Sequence, residues 1–479
     1  MKKKFIGNLL LLLFLNLLIK PFYILGIDAE IINRVGPSVY GNYFALINFS
    51  FLLNIILDLG ITNYNVKNIA QHHQLLDKHF SGIITLRIFL VLCYLAVTIL
   101  VALFVQYDVT QIKILIVLAI NQSLVAFILY IRSNLAGLHL FSQDSLVSVL
   151  DRMLLIVICS CLLWGGVTSK PFQIEWFIYA QSLSYFITLI ISFFLVFRKT
   201  SRFYFQWNTS FALVIMKRSF PYALLILLMT IYYRIDSVML ERMIDDDSIQ
   251  AGIYAQSYRF FEASNMIAYL FAALLLPIFS KMLKMKECVQ ELVLFAFKTL
   301  LSGSFILALF CYVYSVQIID LRYDSYIEQS SEILSILMIC FLFISSTYIF
   351  GTLLTANGSL FYLNITAGFG MLLNIILNIL LIPEYQAKGS AIASLITQAI
   401  TAVIQVVLCY YIFKFDILST CLRLFFFMLG LIVFLILIKS FNILLIHTII
   451  YYLSFSIFWL FASGIIRISE LHLLSKNKL

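Results

Sequence analysis

Four cations stand where the surrounding sequence is apolar: Lys20, Arg234, Arg259 and Lys298. A Lys or Arg near the centre of a bilayer costs about 2.5–3.5 kcal/mol on insertion scales. A chain that keeps four of them in such stretches points to an interior cavity that receives something anionic. Snorkelling of each long side chain toward the interface is the competing account. Three carboxylates share these stretches, Asp58, Asp236 and Glu262, and each could take up an entering proton or sodium ion. Glu262 follows Arg259 by three residues, so the two share a helix face and could be a neutralised structural pair. Asp236 is two residues from Arg234 and points elsewhere, which leaves Arg234 without a local partner. Asp58 falls near the inside end of its stretch and can reach the interface.

Other chemistry is missing from the sequence. It has no Gly-x-x-x-x-Gly-Lys-Ser/Thr loop, no His-Glu-x-x-His pair and no Gly-x-Ser-x-Gly elbow. We therefore expect no ATPase, no catalytic residue, no metal and no cofactor. His72, His73 and His79 read as solvated loop side chains. The eight cysteines (Cys93, Cys159, Cys161, Cys288, Cys311, Cys340, Cys409 and Cys421) lie mostly in apolar runs without a Cys-x-x-Cys pair. They read as small buried hydrophobes.

The elements that carry these residues follow from composition. Of 479 residues, 63% are apolar and 11% charged, with a mean hydropathy of +1.02. Soluble domains have roughly 45–50% and about 25%. The apolar runs are continuous over about 20 residues, which indicates helical spans and not the alternating strands of a porin. Spans fall near 5–27, 39–61, 82–105, 112–136, 146–167, 174–197, 213–240, 250–280, 289–316, 329–355, 361–382, 389–413, 418–438 and 443–466. The expectation is an all-α integral membrane protein with fourteen transmembrane helices. Lys2, Lys3 and Lys4 before an apolar run imitate a signal peptide, but no small-residue cleavage site follows, so an uncleaved first span is expected. Pro21 removes the bond to the carbonyl of Leu17 and should kink that span beside Lys20. A broken helix bearing a cation is one way transporters build anion sites. Lys20 would lie about 22 Å from the inside end of its helix, and Arg259 about 14 Å from the outside end of its own.

Charge sets the orientation. With the N-terminus inside, inside segments hold 21 Lys and Arg, outside segments 7, and spans 4. Both termini are thus expected in the cytoplasm. The net charge of +9 is then a topology signal, not a nucleic-acid footprint. A weak duplication accompanies it: Tyr40 and Tyr254 are 214 residues apart, and the same offset carries Lys20 onto Arg234. It suggests six-helix halves at 1–205 and 206–415, with helices 13–14 and a cytoplasmic tail at 416–479. Asn374 and Asn378, four apart, read as interhelical glue, with an ion site as the alternative. Tyr40, Tyr43, Tyr254 and Tyr258 read as an aromatic belt, with sugar stacking as the alternative.

Three ordered groups of motifs carry a resemblance. The first is Arg34-Val35-Gly36-Pro37-Ser38-Val39-Tyr40-Gly41-Asn42-Tyr43, then Leu57-Asp58-Leu59-Gly60-Ile61 and Asn68-Ile69-Ala70. The second is Tyr233-Arg234-Ile235-Asp236-Ser237-Val238-Met239-Leu240, with Ala251-Gly252-Ile253-Tyr254 and Tyr258-Arg259. The third is Leu373-Asn374-Ile375-Ile376-Leu377-Asn378, Ile382-Pro383 and Gly389-Ser390-Ala391-Ile392-Ala393. Together they resemble the polysaccharide-transporter family of the multidrug/oligosaccharidyl-lipid/polysaccharide flippase superfamily. That family usually has a second Gly where Gln386 or Ala387 stands here. The resemblance implies a flippase that carries undecaprenyl-pyrophosphate-linked oligosaccharide, an O-antigen or capsule unit of a lipopolysaccharide or related polymer, across a bacterial inner membrane. It implies two six-helix bundles in a V that alternate in access, and matches the family's cavity cations to Lys20, Arg234 and Arg259. Lys298 comes from the residues alone. The implied partners are the lipid-linked substrate, membrane lipid and a polysaccharide polymerase. A lipid II flippase or a multidrug/organic-cation exporter would share the scaffold, although a net basic interior disfavours cation export. A membrane glycosyltransferase or polymerase would need a larger outside loop than the one near 317–328.

Overall fold

In lipid, apolar stretches of this length satisfy their backbone only as helices or closed barrels. The described residues are helical, with no strand among them. The structure, a computed structural model, describes residues 14–62, 65, 69, 75–138, 140–166, 170–199, 209–245, 248–415, 418–441 and 443–465. Lys2 to Lys4, His72, His73, Asn68, Ala70 and the tail from 466 lie outside them.

Helix α1 runs through 14–35. It is followed by α2 (Pro37–Leu52, resuming over Ile55–Asp58), α3 (Leu75–Phe104), α4 (Val109–Gly137), α5 (Phe141–Trp164) and α6 (Ile174–Phe197). Then come α7 (Thr209–Met243), α8 (Ile249–Lys284), α9 (Gln290–Val313) and α10 (Ile327–Ala356). Leu360–Phe413 holds α11 and α12, joined at Gln386, and α13 (Leu418–Ser440) and α14 (Leu445–Ala462) follow. Among the described residues, twelve helices are long and apolar enough to cross a membrane, and Leu360–Phe413 is counted once in that number. The first expected span begins outside the described residues. Local signals set the ends. Gly36, at φ 83°, and Pro37 at the first helical position separate α1 from α2 without a loop. Asp108 and Gln111 form a capping box at the start of α4.

Helix α1 departs from the expected kink. It stays helical past Pro21 and widens into a π-turn over Tyr23–Asp28 before resuming as Ala29–Val35. The hydrogen bond that Pro21 cannot donate lies below this turn. The extra residue is accommodated by widening, not by a break.

Two units divide the chain. The first is Met1–Ala263 with Arg322–Tyr326 and Ala367–Ala393. The second is Ser264–Leu321 with Ile327–Thr366 and Ser394–Leu479. Within the first unit the starts of α2 and α8 meet backbone to backbone. A Cβ on Gly41 would lie 2.1 Å from the Ser248 carbonyl oxygen, and one on Gly252 would lie 2.0 Å from that of Pro37. Only glycine permits this approach, and it brings the Tyr40 turn of α2 beside the Tyr254 turn of α8. The second unit is joined by small polar contacts such as Ser304 with Ser345, 2.7 Å apart.

Several side-chain expectations change. Tyr40, Tyr43, Tyr254 and Tyr258 are buried rather than set in a membrane-surface belt. They answer internal polar groups: Tyr43 OH accepts from Gln181 Nε2 at 2.7 Å, and Tyr258 OH donates to the Tyr233 carbonyl at 3.5 Å. Cys161, Cys288 and Cys421 are exposed, so only part of the cysteine set packs inside. Several cations of the inside tally, Arg87, Arg132 and Arg152 among them, lie within α3, α4 and α5 rather than in loops.

Gln386 stands at φ 52° and ψ −133°, a region that glycine favours and side chains rarely enter. The resemblance places a second Gly at Gln386 or Ala387. Such a residue stores of order 1–3 kcal/mol, while glycine gives up about 0.5–1 kcal/mol in entropy. Gln386→Gly is therefore expected to stabilise the protein by about 1 kcal/mol. Thermal unfolding of the purified variant in detergent checks this, and an unchanged or lower midpoint would count against a strained hinge.

Candidate functional site

The first group of charges forms an alternating chain inside the first unit. Arg259 Nε lies 2.6 Å from Asp28 Oδ2, and its Nη1 donates to Glu262 Oε2 at 2.6 Å. The other oxygen of Glu262 accepts from Arg234 Nη2 at 3.4 Å, and Arg234 Nη1 donates to Asn48 Oδ1 at 3.1 Å. Tyr40 OH donates to Asp28 Oδ2 at 2.9 Å and accepts from Arg259 Nε at 3.0 Å. The chain is thus carried by α1, α8 and α7, with α2 supplying Tyr40 and Asn48. Rings line it: Phe51 lies 4.8 Å from the Arg234 guanidinium carbon and Phe44 5.1 Å from that of Arg259. Two cations face two carboxylates, so the chain is close to neutral. Its ends differ. The Asp28 side chain is sealed at 0% exposure, whereas Arg234 and Glu262 keep 23% and 25%. A ligand would meet the Arg234 end first.

A second group surrounds Lys20, also in the first unit. Lys20 is half-buried, and Arg152, Asp151 and Arg132 are the charges near it. Arg152 lies over the rings of Tyr23 at 4.8 Å and Tyr185 at 5.7 Å, with Asp151 3.6 Å away. Arg132 pairs with Asp144 at 2.8 Å. Asn16 Nδ2 donates to Ser148 Oγ at 3.1 Å and ties α1 to α5. Three cations here face two carboxylates, so the surplus of positive charge sits with this group.

Asp236 occupies a third place, 2% exposed. It accepts from Tyr254 OH at 2.9 Å and from the side-chain amides of Asn374 at 3.3 Å and Asn378 at 2.9 Å. Ser390 Oγ donates to Asn378 Oδ1 at 2.8 Å. The two asparagines therefore join α11 to α7, as the glue reading expects, around a buried carboxylate.

Of the residues singled out from sequence, Arg234, Arg259 and Glu262 come together, and Lys20 stands in the neighbouring basic group. Arg234 does not lack a partner. The three-residue step from Arg259 to Glu262 and the packing of α7 on α2 give it two. Asp58 is held elsewhere, by Arg87 and by the Thr62 amide at 3.2 Å, with Arg87 stacked 5.0 Å over Tyr130. Lys298 belongs to the second unit, buried on α9 with the Phe295 ring 5.6 Å from its Nζ. Sequence reasoning missed Asp28 and Arg152. Asp28 fell one residue past the expected end of span 1. Its signal was the stripe of Ile24, Ile27, Ile31 and Ile32 around it, because a carboxylate on such a stripe must find a partner. Arg152 sits mid-helix beside Asp151, which made it look like part of a loop.

The comparisons with known proteins agree with this architecture. Residues 29–283 match the sequence model of a family described as "Polysaccharide biosynthesis protein". The chain is similar in fold to a solved structure of the lipid II flippase MurJ in an inward closed conformation. The TM-score is 0.73 at 16% identity, over 94% of this chain and 98% of that one. It is also similar to an inward-facing multidrug resistance MATE transporter of the MOP superfamily, with a TM-score of 0.65, 14% identity and coverage of 85% and 98%. A MOP superfamily transporter from Pyrococcus furiosus, described as having a binding pocket of reversed polarity, gives 0.56 at 14% identity over 84% and 95%. No curated protein sequence matches.

Proposed function

The chain belongs to the polysaccharide biosynthesis protein family, and on that premise we propose that it is a flippase for undecaprenyl-pyrophosphate-linked oligosaccharide, an O-antigen or capsule repeat unit. It works by alternating access in a bacterial inner membrane, with both termini cytoplasmic, and hands its product to a polysaccharide polymerase. The halves 1–205 and 206–415 act as repeats, each with a Tyr hydroxyl 2.9 Å from a buried carboxylate (Tyr40 with Asp28, Tyr254 with Asp236). One observation carries the reading: the group around Lys20 holds three cations against two carboxylates, and with Arg234 it presents half-buried guanidinium groups. Such groups bind phosphate oxygens in pairs and repel organic cations. The pyrophosphate is received by Lys20 and Arg152 and by the exposed end of the Arg234–Glu262–Arg259 chain, while the polyprenyl tail remains in lipid. Lys298, in the second unit, is a further candidate for binding an anion.

Proteoliposomes loaded with labelled lipid-linked oligosaccharide test this. Flipping above that of empty vesicles is expected, and Arg234→Ala should slow it about 10- to 100-fold, the worth of one hydrogen bond to a charged group. Flipping no faster than in empty vesicles would end the proposal.

Coupling to an ion is assigned to Asp236. Asp58 is held by Arg87, and Glu262 by two arginines. Around Asp236 the amides of Asn374 and Asn378 can turn their oxygens toward an entering cation. Asp236→Asn keeps an acceptor for Tyr254 and Asn378, so the fold should survive. Stimulation of flipping by an imposed sodium or proton gradient should fall about fivefold or more, the low end of ordinary coupling energies. Undiminished stimulation would move the coupling to Glu262 or Asp58.

A further inference from the structure

The π-turn in α1 has a hydrogen-bonding deficit that can be located. Its last widened bond runs from the Ala29 amide to the Ile24 carbonyl, five residues back. The next amide, that of Glu30, reaches Gly26 once the helix returns to four-residue spacing. The carbonyl of Leu25 is therefore passed over. The structure fills the gap from elsewhere in the chain: Arg322 Nε donates to Leu25 O at 2.6 Å and Nη2 to Gly26 O at 2.5 Å. The same guanidinium meets Glu30 Oε2 at 3.4 Å, and the Arg322 carbonyl accepts from Asn33 Nδ2 at 3.0 Å. Arg322 is thus tied to the turn itself and to the helix that follows it. The fork of an arginine suits adjacent carbonyls as no other side chain does.

We propose that Arg322 is a positioning residue: it supplies the donor that the π-turn lacks and so fixes the rotational phase of Asp28 against Arg259. One residue is worth about 100° of α-helix. If the turn over Tyr23–Asp28 rewound to four-residue spacing with the chain unchanged, the extra residue would turn the helix on one side by that angle. Either Asp28 would leave Arg259 or Asn16 would leave Ser148. The π-turn keeps both partnerships at once, and Arg322 holds the π-turn. Arg322 lies in the short segment Arg322–Tyr326 of the first unit, and its chain flanks on both sides belong to the second. The charge chain is therefore set partly from a segment that sequence order places far from α1.

The transport half of the test rests on the flippase reading, and the folding half does not. Thermal unfolding of the purified full chain should fall by several degrees in Arg322→Ala. Deletion of Leu25 removes the carbonyl that is passed over and lets both flanks of α1 keep their faces in plain α geometry. In that background Arg322→Ala should give a much smaller shift. Equal shifts in the two backgrounds would overturn the proposal. If the deletion does not fold, Arg322→Lys decides: a lysine can still donate to these carbonyls and should recover much of the loss, and a Lys variant as low as alanine would overturn it. Flipping per folded molecule should drop severalfold in Arg322→Ala, with the cost of Asp28→Asn smaller in that variant than in the native chain. Unchanged flipping per folded molecule would reduce Arg322 to a structural contact and refute the positioning role. Absence of flipping by the native protein would sink the flippase reading alone, because the unfolding series still decides where the donor is needed.

Discussion

Arg259→Ala is expected to destabilise the folded protein by about 3–5 kcal/mol, the usual cost of removing one partner of a buried ion pair, and to abolish transport. The reason lies at the sealed end of the charge chain. Asp28 is fully buried and depends on Arg259 and Tyr40. Without the guanidinium its charge has no compensation within that pocket. Glu262 suffers less, because Arg234 still reaches it. The double variant Arg259→Ala with Asp28→Asn should therefore recover most of the folded yield, read by size-exclusion profile, while surface polysaccharide stays absent. Pairing Arg259→Ala with Glu262→Gln should not recover the yield. Recovery by the Glu262 change instead would show that Asp28 is not the residue Arg259 serves. Polysaccharide restored by the Asp28 double variant would show Arg259 to be structural only.

Abolishing the membrane potential is expected to have the next largest effect. The pyrophosphate carries about two negative charges, and each moved outward gains about 2.3 kcal/mol per 100 mV. Two charges gain roughly 4–5 kcal/mol at 100 mV, a bias of about a thousandfold in the distribution of cargo. The protein's cations stay with the walls: Arg259 is held by Asp28 and Glu262, and Arg152 by Asp151 and two rings. Most of the electrical work therefore falls on the cargo. Proteoliposomes clamped at zero potential with a sodium or proton gradient kept should lose most directional flipping. Full flipping under that clamp would assign the drive to ion antiport through Asp236.

The helices were legible in the sequence because uninterrupted apolar runs in lipid leave the backbone almost no choice. The meeting of Arg234, Arg259 and Glu262 was partly legible. A three-residue step on a helix fixes a shared face, but a partner from another helix leaves no local trace, which is why Asn48 and the Arg234–Glu262 bond were not seen. Asp28 escaped because a boundary drawn by hydropathy stops where an apolar run ends in a charge, even when that charge is the most buried of its group. The π-turn was invisible for a related reason. Pro21 marks where a hydrogen bond must fail, but the choice between a kink and a widened turn depends on Arg322, almost three hundred residues away. Gln386 shows the opposite case. The resemblance implied a second glycine at Gln386 or Ala387, and the backbone adopts a glycine-like conformation at Gln386 without one.

The bare contact of Gly41 with Gly252 has a mechanical consequence. The contact sets a pivot from which Arg259 stands seven residues along α8, about 10 Å away at 1.5 Å per residue. A tilt of about 5° at that pivot would move Arg259 by only about 1 Å. The short arm therefore lets the start of α8 lean while its guanidinium stays within reach of Asp28.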